Sequence, residues 1–226
     1  MIRPALESDL PAILAIYGPY ILHSTATFEY EVPSLPAFTD RFRGITAQFP
    51  WLVWEEGGKV LGYAYASAPY TRPAYAWCAE PSVYLCPQAR GSGIGAALYA
   101  ALEAILLKQG YQVLYALITQ ENTASLRFHE KEGYRQMVLF PDCGFKFGRW
   151  LGLIWMENRL KAVEIPTSAP TPWPSIRKDA QNFANILDNL SLFESKKIWY
   201  VMRGEGCADH RAHNPTDHPI ILHKEL

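Results

Sequence analysis

The feature that most constrains the fold of this chain is the glycine-rich stretch "ARGSGIG", residues 89–95, between an apparent strand and an apolar stripe of helical spacing that ends at Gly110. Backbone N–H groups at the start of a helix point along its axis, and the helix dipole adds partial positive charge there. Gly91, Gly93 and Gly95 leave room for a ligand close to the backbone, and Arg90 adds a cation. The stretch therefore predicts a phosphate-binding loop.

Two known phosphate loops share these letters. From Gly91 they fit GxGxxA, the dinucleotide fingerprint, and from Arg90 they fit RxxGxG, the pyrophosphate loop of GCN5-related acyl-coenzyme A transferases. The dinucleotide fold needs repeated strand-helix units, whereas here a hairpin and an interrupted strand precede the loop. Glu121 is the only acidic candidate for the ribose, and it lies further on than the usual spacing of about 20 residues. The order of elements favours the acyl-coenzyme A loop over the dinucleotide loop and over a purely structural glycine turn.

The periodicity of apolar residues predicts a mixed α/β (α+β) domain that is rich in strands. A hairpin turn is expected at Glu56-Gly57-Gly58, and a strand that breaks at Pro81 because proline cannot donate to a sheet ladder. The predicted helices span 9–22, 34–49, 94–109 and 123–133, and the predicted strands span 51–68 as a hairpin, 74–86, 111–118, 134–140 and 150–160.

The character of the chain changes after the last predicted strand. We expect a domain over 1–163, a proline-rich linker over 164–174 and a partly ordered or flexible extension over 175–226. The extension offers one short helix at 179–193 and one apolar run at 197–202, too little to bury a core alone. Removal of 166–226 is therefore expected to leave the domain folded.

Composition excludes several classes of protein. The net charge of −1 over 226 residues gives no basic excess for nucleic acid or an anionic membrane. The N-terminal residues do not resemble a signal peptide, and no apolar run is long enough to span a membrane. Widely spaced cysteines without a CxxC pair favour reduced thiols and a cytoplasmic protein. No metal is expected, because the tail pattern CxxHxxH has no known structural zinc spacing; these residues are Cys207, His210 and His213.

Five stretches occur in one order along the chain, namely "TATFEYE", "YAWCAEPSVYL", "ARGSGIG", "ENTASLRFHEKEGY" and "GFKFGRWLGLIWMENRL". Together they resemble the phosphinothricin N-acetyltransferase branch of the GCN5-related superfamily, which includes acetyltransferases for methionine sulfone and methionine sulfoximine. The resemblance covers residues 2 to about 160.

This resemblance implies a fold and a cosubstrate. The fold is a mostly antiparallel, twisted seven-stranded sheet that splays between strands 4 and 5, flanked by helices and followed here by a C-terminal extension. Acetyl-coenzyme A enters the splay, and the break at Pro81 matches a bulge that frees backbone N–H groups for it. The residues implied in coenzyme binding are Val83, Tyr84, Leu85, Arg90, Gly91, Ser92, Gly93, Ile94, Gly95, Asn122 and Ser125. Asn122 on its own would equally be a helix cap.

The resemblance also implies the catalytic groups. Attack of an amine on a thioester needs a deprotonated amine, a polarised carbonyl and a proton for the departing thiolate. Glu80 matches the family base, with a solvent-facing strand glutamate as the alternative. His129 could protonate the thiolate or assist amine deprotonation, with a satisfied structural histidine as the alternative.

For the acceptor, the resemblance points to a small amino-acid-like amine. The implied contacts are Phe28, Glu29, Arg72, Tyr75 and Tyr84, although the last segment could equally be surface loop and core. Family members are commonly homodimers, so Lys146 to Trp150 are expected to help shape the partner's pocket. A non-catalytic acyl-coenzyme A binding or sensing module is the alternative function.

Overall fold

A computed structural model of the chain describes residues 1–178. The predicted helix at 179–193, the apolar run at 197–202 and the Cys207, His210 and His213 pattern lie outside the described residues. Within 1–178, no helix is both long and apolar enough to cross a membrane.

The predicted elements are present, with small changes at their ends. Gly57 and Gly58 form the hairpin turn with positive φ, and Gly110 closes the third helix in the left-handed conformation. The first strand, three residues long, has no periodic signal in the sequence. The elements are β1 (Ile2–Pro4), α1 (Leu10–His23), α2 (Leu35–Thr46), β2 (Trp51–Glu56), β3 (Lys59–Ser67), β4 (Cys78–Leu85), α3 (Ile94–Gln109), β5 (Val113–Thr119), α4 (Thr123–Lys131), β6 (Arg135–Lys146), β7 (Arg149–Arg159) and α5 (Trp173–Lys178).

All seven strands form one sheet in the order β1-β2-β3-β4-β5-β7-β6. The β4–β5 contact is the parallel one and joins just two residue pairs, Cys78 with Val113 and Ala79 with Leu114; the other neighbours are antiparallel. Beyond Ala79 the two strands part. The predicted sheet, with its splay between strands 4 and 5, is confirmed.

Each face of the sheet buries its own core because side chains alternate along the strands. On one face α1 and α2 pack with Trp51 and Tyr63 of the hairpin. On the other, α3 contributes Leu98, Leu102 and Ile105 to a second cluster with the central strands. The two layers of helices hold the splayed strands apart from both sides.

The expected break of the fourth strand is wrong. Residues 73–75 form a short 3-10 turn, β4 runs unbroken from Cys78 to Leu85, and its register with β3 does not shift at the Ala66–Pro81 pair. Ala66 donates its N–H to Pro50 O, away from β4, so this is a non-hydrogen-bonded pair of the ladder. The nitrogen of Pro81 therefore faces the splay, where no ladder requires a donor.

The proline-rich segment packs against the domain. Trp173, at the start of α5, is 2% exposed within the larger core cluster, and its N–H donates to Gln48 O at 3.0 Å. Gln109 Nε2 donates to Thr171 O at 2.7 Å, and Trp77 Nε1 donates to Ser168 O at 3.0 Å. The boundaries at 163 and 174 stay a prediction, but residues 168–176 contribute to the core of the residues before them.

Candidate active site

A cavity of about 930 Å³ opens where β4 and β5 part. Ten residues that the sequence singles out lie on its wall, from β4, the glycine loop and α4, while Ser92, Gly93 and Ile94 belong to the same loop without lining it. The ten are Glu80, Val83, Tyr84, Leu85, Arg90, Gly91, Gly95, Asn122, Ser125 and His129. The fold thus brings the predicted coenzyme and catalytic residues into one site.

The glycine loop enters α3 through two residues with positive φ, Gly91 at 76° and Gly93 at 85°. Side chains with a Cβ rarely adopt this conformation, so glycine is needed at both positions. Ser92 Oγ donates to Ala89 O at 2.7 Å and closes the turn. The Arg90 guanidinium lies 5.1 Å from the ring centre of Tyr20. The loop presents the amide end of a sixteen-residue helix together with one cation, which is a suitable site for a phosphate or pyrophosphate.

The edge of β4 that faces the splay carries backbone groups outside the ladder. A residue of an antiparallel strand directs its N–H and C=O to the same side, so Pro81, Val83 and Leu85 all face the gap. Tyr20 OH bonds both Leu85 O (2.7 Å) and Leu85 N (3.3 Å), and Tyr99 OH donates to Pro81 O at 3.2 Å. Val83 presents its N–H and C=O to the cavity, where an extended amide chain could pair with them as an added strand.

Glu80 lies on the cavity wall one residue past the last β4–β5 pair. Its side chain is partly buried, and desolvation raises its pKa above the ordinary 4.5. A carboxylate in this setting is a stronger base than one in water. Of the two alternatives left by the sequence, the cavity-facing position favours the base over a solvent-facing strand glutamate.

His129 also lies on the wall but is 5% exposed. Its Nδ1 lies 2.8 Å from Ser125 O, and its Nε2 lies 2.8 Å from Tyr99 OH. Burial lowers the pKa of the imidazole to about 4, so it is neutral at pH 7. The role as a proton donor stays a prediction, and the contacts fit the alternative of a satisfied structural histidine.

Asn122 and Ser125 begin α4 on the same wall. Asn122 Oδ1 accepts the Ser125 N–H at 3.2 Å, which is the helix cap that the sequence left as an alternative. Both side chains also line the cavity, so a contact with the coenzyme stays a prediction for each.

The residues predicted for the acceptor are less well assembled. Glu29 accepts from Arg41 Nη1 at 2.7 Å and from Tyr17 OH at 2.9 Å, and Phe28 packs on Gly144 of β6. Neither side chain lines the cavity. Both stand behind its wall in the segment that follows α1.

Arg72 and Tyr75 lie on the exposed segment before β4, outside the cavity, where Tyr75 stacks near Tyr70 with ring centres 4.3 Å apart. Tyr84 alone among the five predicted acceptor contacts lines the cavity. Its ring packs edge-on to Tyr17 in the core beneath.

Sequence reasoning missed a polar cluster at the far end of the cavity. Arg149 bonds Glu121 with two contacts, Nη1 to Oε2 at 2.5 Å and Nη2 to Oε1 at 2.8 Å. Thr25 donates to Glu121 Oε1 at 2.8 Å and accepts from Thr119 through its carbonyl. These four residues come from the loop after α1, from β5 and from β7, and no motif joins them in the sequence.

Lys146 fastens the same loop from below. It is 2% exposed, and its Nζ donates to Ser24 O at 2.9 Å and to Thr27 O at 2.7 Å. Burial lowers the pKa of this ammonium, while the charge of Glu29 raises it. The sequence singles out Lys146 to Trp150 for a partner's pocket, whereas within one chain Lys146 holds the cavity wall.

Comparison with known proteins identifies the family. The model of the acetyltransferase (GNAT) domain matches residues 2–155. The chain belongs to the GNAT acetyltransferase family. The predicted family and the prediction of an N-acetyltransferase are confirmed, and the dinucleotide loop is set aside.

Among similar proteins is a phosphinothricin N-acetyltransferase of Alcaligenes faecalis, 39% identical over 71% of this chain and 83% of that protein. An L-methionine sulfoximine/L-methionine sulfone acetyltransferase of Salmonella typhimurium is 33% identical over 73% of this chain and 97% of that protein. A crystal structure of a GNAT phosphinothricin acetyltransferase from Sinorhizobium meliloti in complex with acetyl-coenzyme A superposes with a TM-score of 0.73. It is 37% identical over 76% of this chain and 96% of that one.

The GNAT site needs no metal in the described part of the chain to account for its geometry. Within residues 1–178, no three His, Cys, Asp or Glu side chains lie together as a metal site requires.

Proposed function

We propose that this enzyme transfers the acetyl group of acetyl-coenzyme A to the primary amine of a small amino-acid-like acceptor. The observation that carries the proposal is the position of Glu80, a partly buried carboxylate on the cavity wall where β4 leaves β5. A base at this point lies beside the backbone edge that can hold the coenzyme arm.

Acetyl-coenzyme A fits the cavity from the loop inward. Its pyrophosphate would lie on the amide groups of residues 90–95 with Arg90 as a counter-ion. Its pantetheine arm would pair with the N–H and C=O of Val83, with Leu85, Asn122 and Ser125 beside it. The thioester would then lie near Glu80, at the deep end of the splay.

The reaction is a direct attack. Glu80 accepts a proton from the acceptor's ammonium, itself or through water, and the free amine attacks the thioester carbonyl. The C–N bond forms as the C–S bond breaks, and the second proton of the nitrogen passes to the thiolate. His129 contributes no free ring nitrogen to this scheme, because both already bond protein atoms.

The acceptor is proposed from the relatives together with the cavity. The relatives named above acetylate phosphinothricin, methionine sulfoximine or methionine sulfone, by their names. These molecules share an amino acid end and a tetrahedral centre that carries polar oxygens. Hydroxyl groups of Thr25 and Thr119 and the guanidinium of Arg149 give the cavity the hydrogen-bond donors that such oxygens require. Phe28, Glu29, Arg72 and Tyr75 remain proposed contacts, with Phe28 and Glu29 acting from behind the wall.

A homodimer is part of the proposal. β6 is an edge strand of the sheet, and it exposes large apolar side chains with its neighbour β7. They are Met137, Val138, Leu139, Phe140, Phe145 and Trp150, between 36% and 61% exposed. Pairing with a second copy would cover this face. Light scattering during gel filtration tests it: Phe140→Asp should yield a monomer, and a monomeric wild type would contradict it.

The protein is proposed to act in the cytoplasm on small molecules, without nucleic acid or membrane partners. The near-neutral net charge of −1 supports this, since neither anionic partner would be attracted strongly.

The proposed function is tested by release of free coenzyme A thiol from acetyl-coenzyme A. The acceptor panel holds phosphinothricin, methionine sulfoximine, methionine sulfone and ordinary amino acids, with mass spectrometry of each product. We expect acceptor-dependent release and a product heavier by one acetyl group. Tight coenzyme binding with no release across the panel would instead support the non-catalytic sensing module.

A further inference from the structure

The contacts of His129 reach further than the histidine itself. Tyr99, on α3, is fully buried and has no polar role that its sequence context would suggest. Its hydroxyl lies 2.8 Å from His129 Nε2 on α4 and 3.2 Å from Pro81 O on β4. One hydroxyl group thus joins three elements at the point where β4 leaves the sheet.

The direction of these hydrogen bonds follows from the acceptor on the far side of the ring. Ser125 O can only accept, so Nδ1 carries the proton that it bonds at 2.8 Å. In the neutral imidazole Nε2 is then bare, and it accepts from Tyr99 OH. The tautomer is fixed by a carbonyl, and the fixed ring in turn orients the tyrosine.

The surroundings keep this arrangement neutral. The rings of Phe128 and Tyr134 meet the imidazole edge-on, with centres 5.2 and 5.1 Å away. Tyr134 OH donates to Glu103 at 2.9 Å, and the charges of Glu103, Glu80 and Glu132 act on Tyr99, where burial is the larger effect. No charged side chain bonds the ring within residues 1–178, where its contacts are Ser125 and Tyr99.

The carbonyl at the end of the chain matters because of its neighbour. Pro81 follows Glu80, and its C=O faces the splay, where β5 has already turned away and offers no N–H. A buried carbonyl without a donor is costly, and an unheld β4 edge could shift. Tyr99 supplies that donor from the helix side.

We propose that Tyr99 and His129 are a pair of positioning residues that fix the backbone at Pro81 and thereby hold Glu80 at the thioester. The pair acts by hydrogen bonding and not by donating a proton to the thiolate. This inference rests on the proposed role of Glu80 as the base.

The first test reads the tautomer of His129 in the wild-type protein and needs no turnover. Nitrogen-15 NMR of the imidazole, assigned by comparison with His129→Gln, should show a protonated Nδ1 and a bare Nε2. The ring should stay neutral from pH 8 down to about 5.5, since burial disfavours the charged form. A ring that titrates near the ordinary value, or a protonated Nε2, would overturn the proposal.

The second test separates hydrogen bonding from proton donation by a matched pair of variants. A glutamine amide can accept from Tyr99 but cannot act as an acid, whereas leucine can do neither. We expect His129→Gln to keep kcat within about threefold, and His129→Leu and Tyr99→Phe each to lose about tenfold or more, because small displacements of a base are costly. The double variant His129→Leu/Tyr99→Phe should lose no more than the worse single one.

Equal large losses in His129→Gln and His129→Leu, with both proteins folded by circular dichroism, would refute positioning and restore the proton donor. The KM for acetyl-coenzyme A should stay unchanged in all variants, because the glycine loop and Val83 are not touched. If the acceptor panel gives no turnover, the proposed function fails while the tautomer measurement still decides the state of the pair. If turnover is normal but the tautomer differs, only this inference fails.

Discussion

The buried tryptophan of the proline-rich segment gives the sharpest prediction about stability. Trp173 is 2% exposed and packs in the main core cluster, while Ile165, eight residues earlier, is 92% exposed. A tryptophan buries about 150–250 Å², which at about 25 cal/mol per Å² amounts to about 4–6 kcal/mol as an upper bound. Measured Trp→Ala changes in cores cost about 3–5 kcal/mol.

We therefore expect Trp173→Ala to lower the free energy of unfolding by about 3–5 kcal/mol. For a domain of this size that corresponds to a fall in Tm of about 10 °C. The assay is urea and thermal unfolding of the full chain followed by circular dichroism, with Ile165→Ala as the matched control that should change little. A loss below about 1 kcal/mol for Trp173→Ala would refute the packing argument.

The same reasoning changes the expectation for a truncated chain. Removal of 166–226 also removes the donor to Gln48 O and the acceptor of Gln109. We expect that truncation to cost at least as much as Trp173→Ala, so the domain of 1–163 would be marginal instead of independent.

Three further predictions concern the cavity wall and the buried histidine. Lys146→Met leaves two buried carbonyls without a donor and should cost about 1–3 kcal/mol in urea unfolding, with a raised KM for the amine and an unchanged KM for acetyl-coenzyme A. Gly144→Ala places a Cβ 2.4 Å from the Phe28 ring, which must move, and should cost about 1–3 kcal/mol in the same assay. The pKa of His129 is lowered to about 4, so the unfolded chain binds a proton between pH 6.5 and 4 that the folded protein does not. Wild-type stability should fall over that window by about 2–3 kcal/mol at pH 4.5, and His129→Gln should remove this slope; equal slopes would contradict it.

Local sequence signals predicted the site where one segment supplies the chemistry. The glycine loop, the β4 stretch around Glu80 and the start of α4 each have their own letters, and the sheet brings them together as expected. The β4 register was mispredicted because the alternation of ladder bonds decides whether a proline is tolerated, and that alternation depends on β3 and β2.

The acceptor end was harder to predict because it depends on contacts between distant segments. Thr25, Glu121 and Arg149 meet only after the sheet closes, and each looks like a surface residue in the sequence. Trp173 lies among prolines that indicate an extended linker, and nothing local tells that its ring fills a core. The same holds for Tyr99, one apolar-face residue of α3 whose hydroxyl matters through Pro81 and His129.

The central claim is that Glu80 is the base of acetyl transfer at a coenzyme site in the β4–β5 splay. The most direct measurement compares turnover and acetyl-coenzyme A affinity in wild type and Glu80→Gln, with Glu56→Gln on the exposed hairpin turn as the control. The account predicts an unchanged Kd for acetyl-coenzyme A and a fall in kcat of about 10²–10⁴. It also predicts that wild-type activity rises with pH through a limb above 4.5, since the raised pKa of Glu80 must be passed before the base is free. Full turnover by Glu80→Gln, with an unaltered pH profile, would contradict the account.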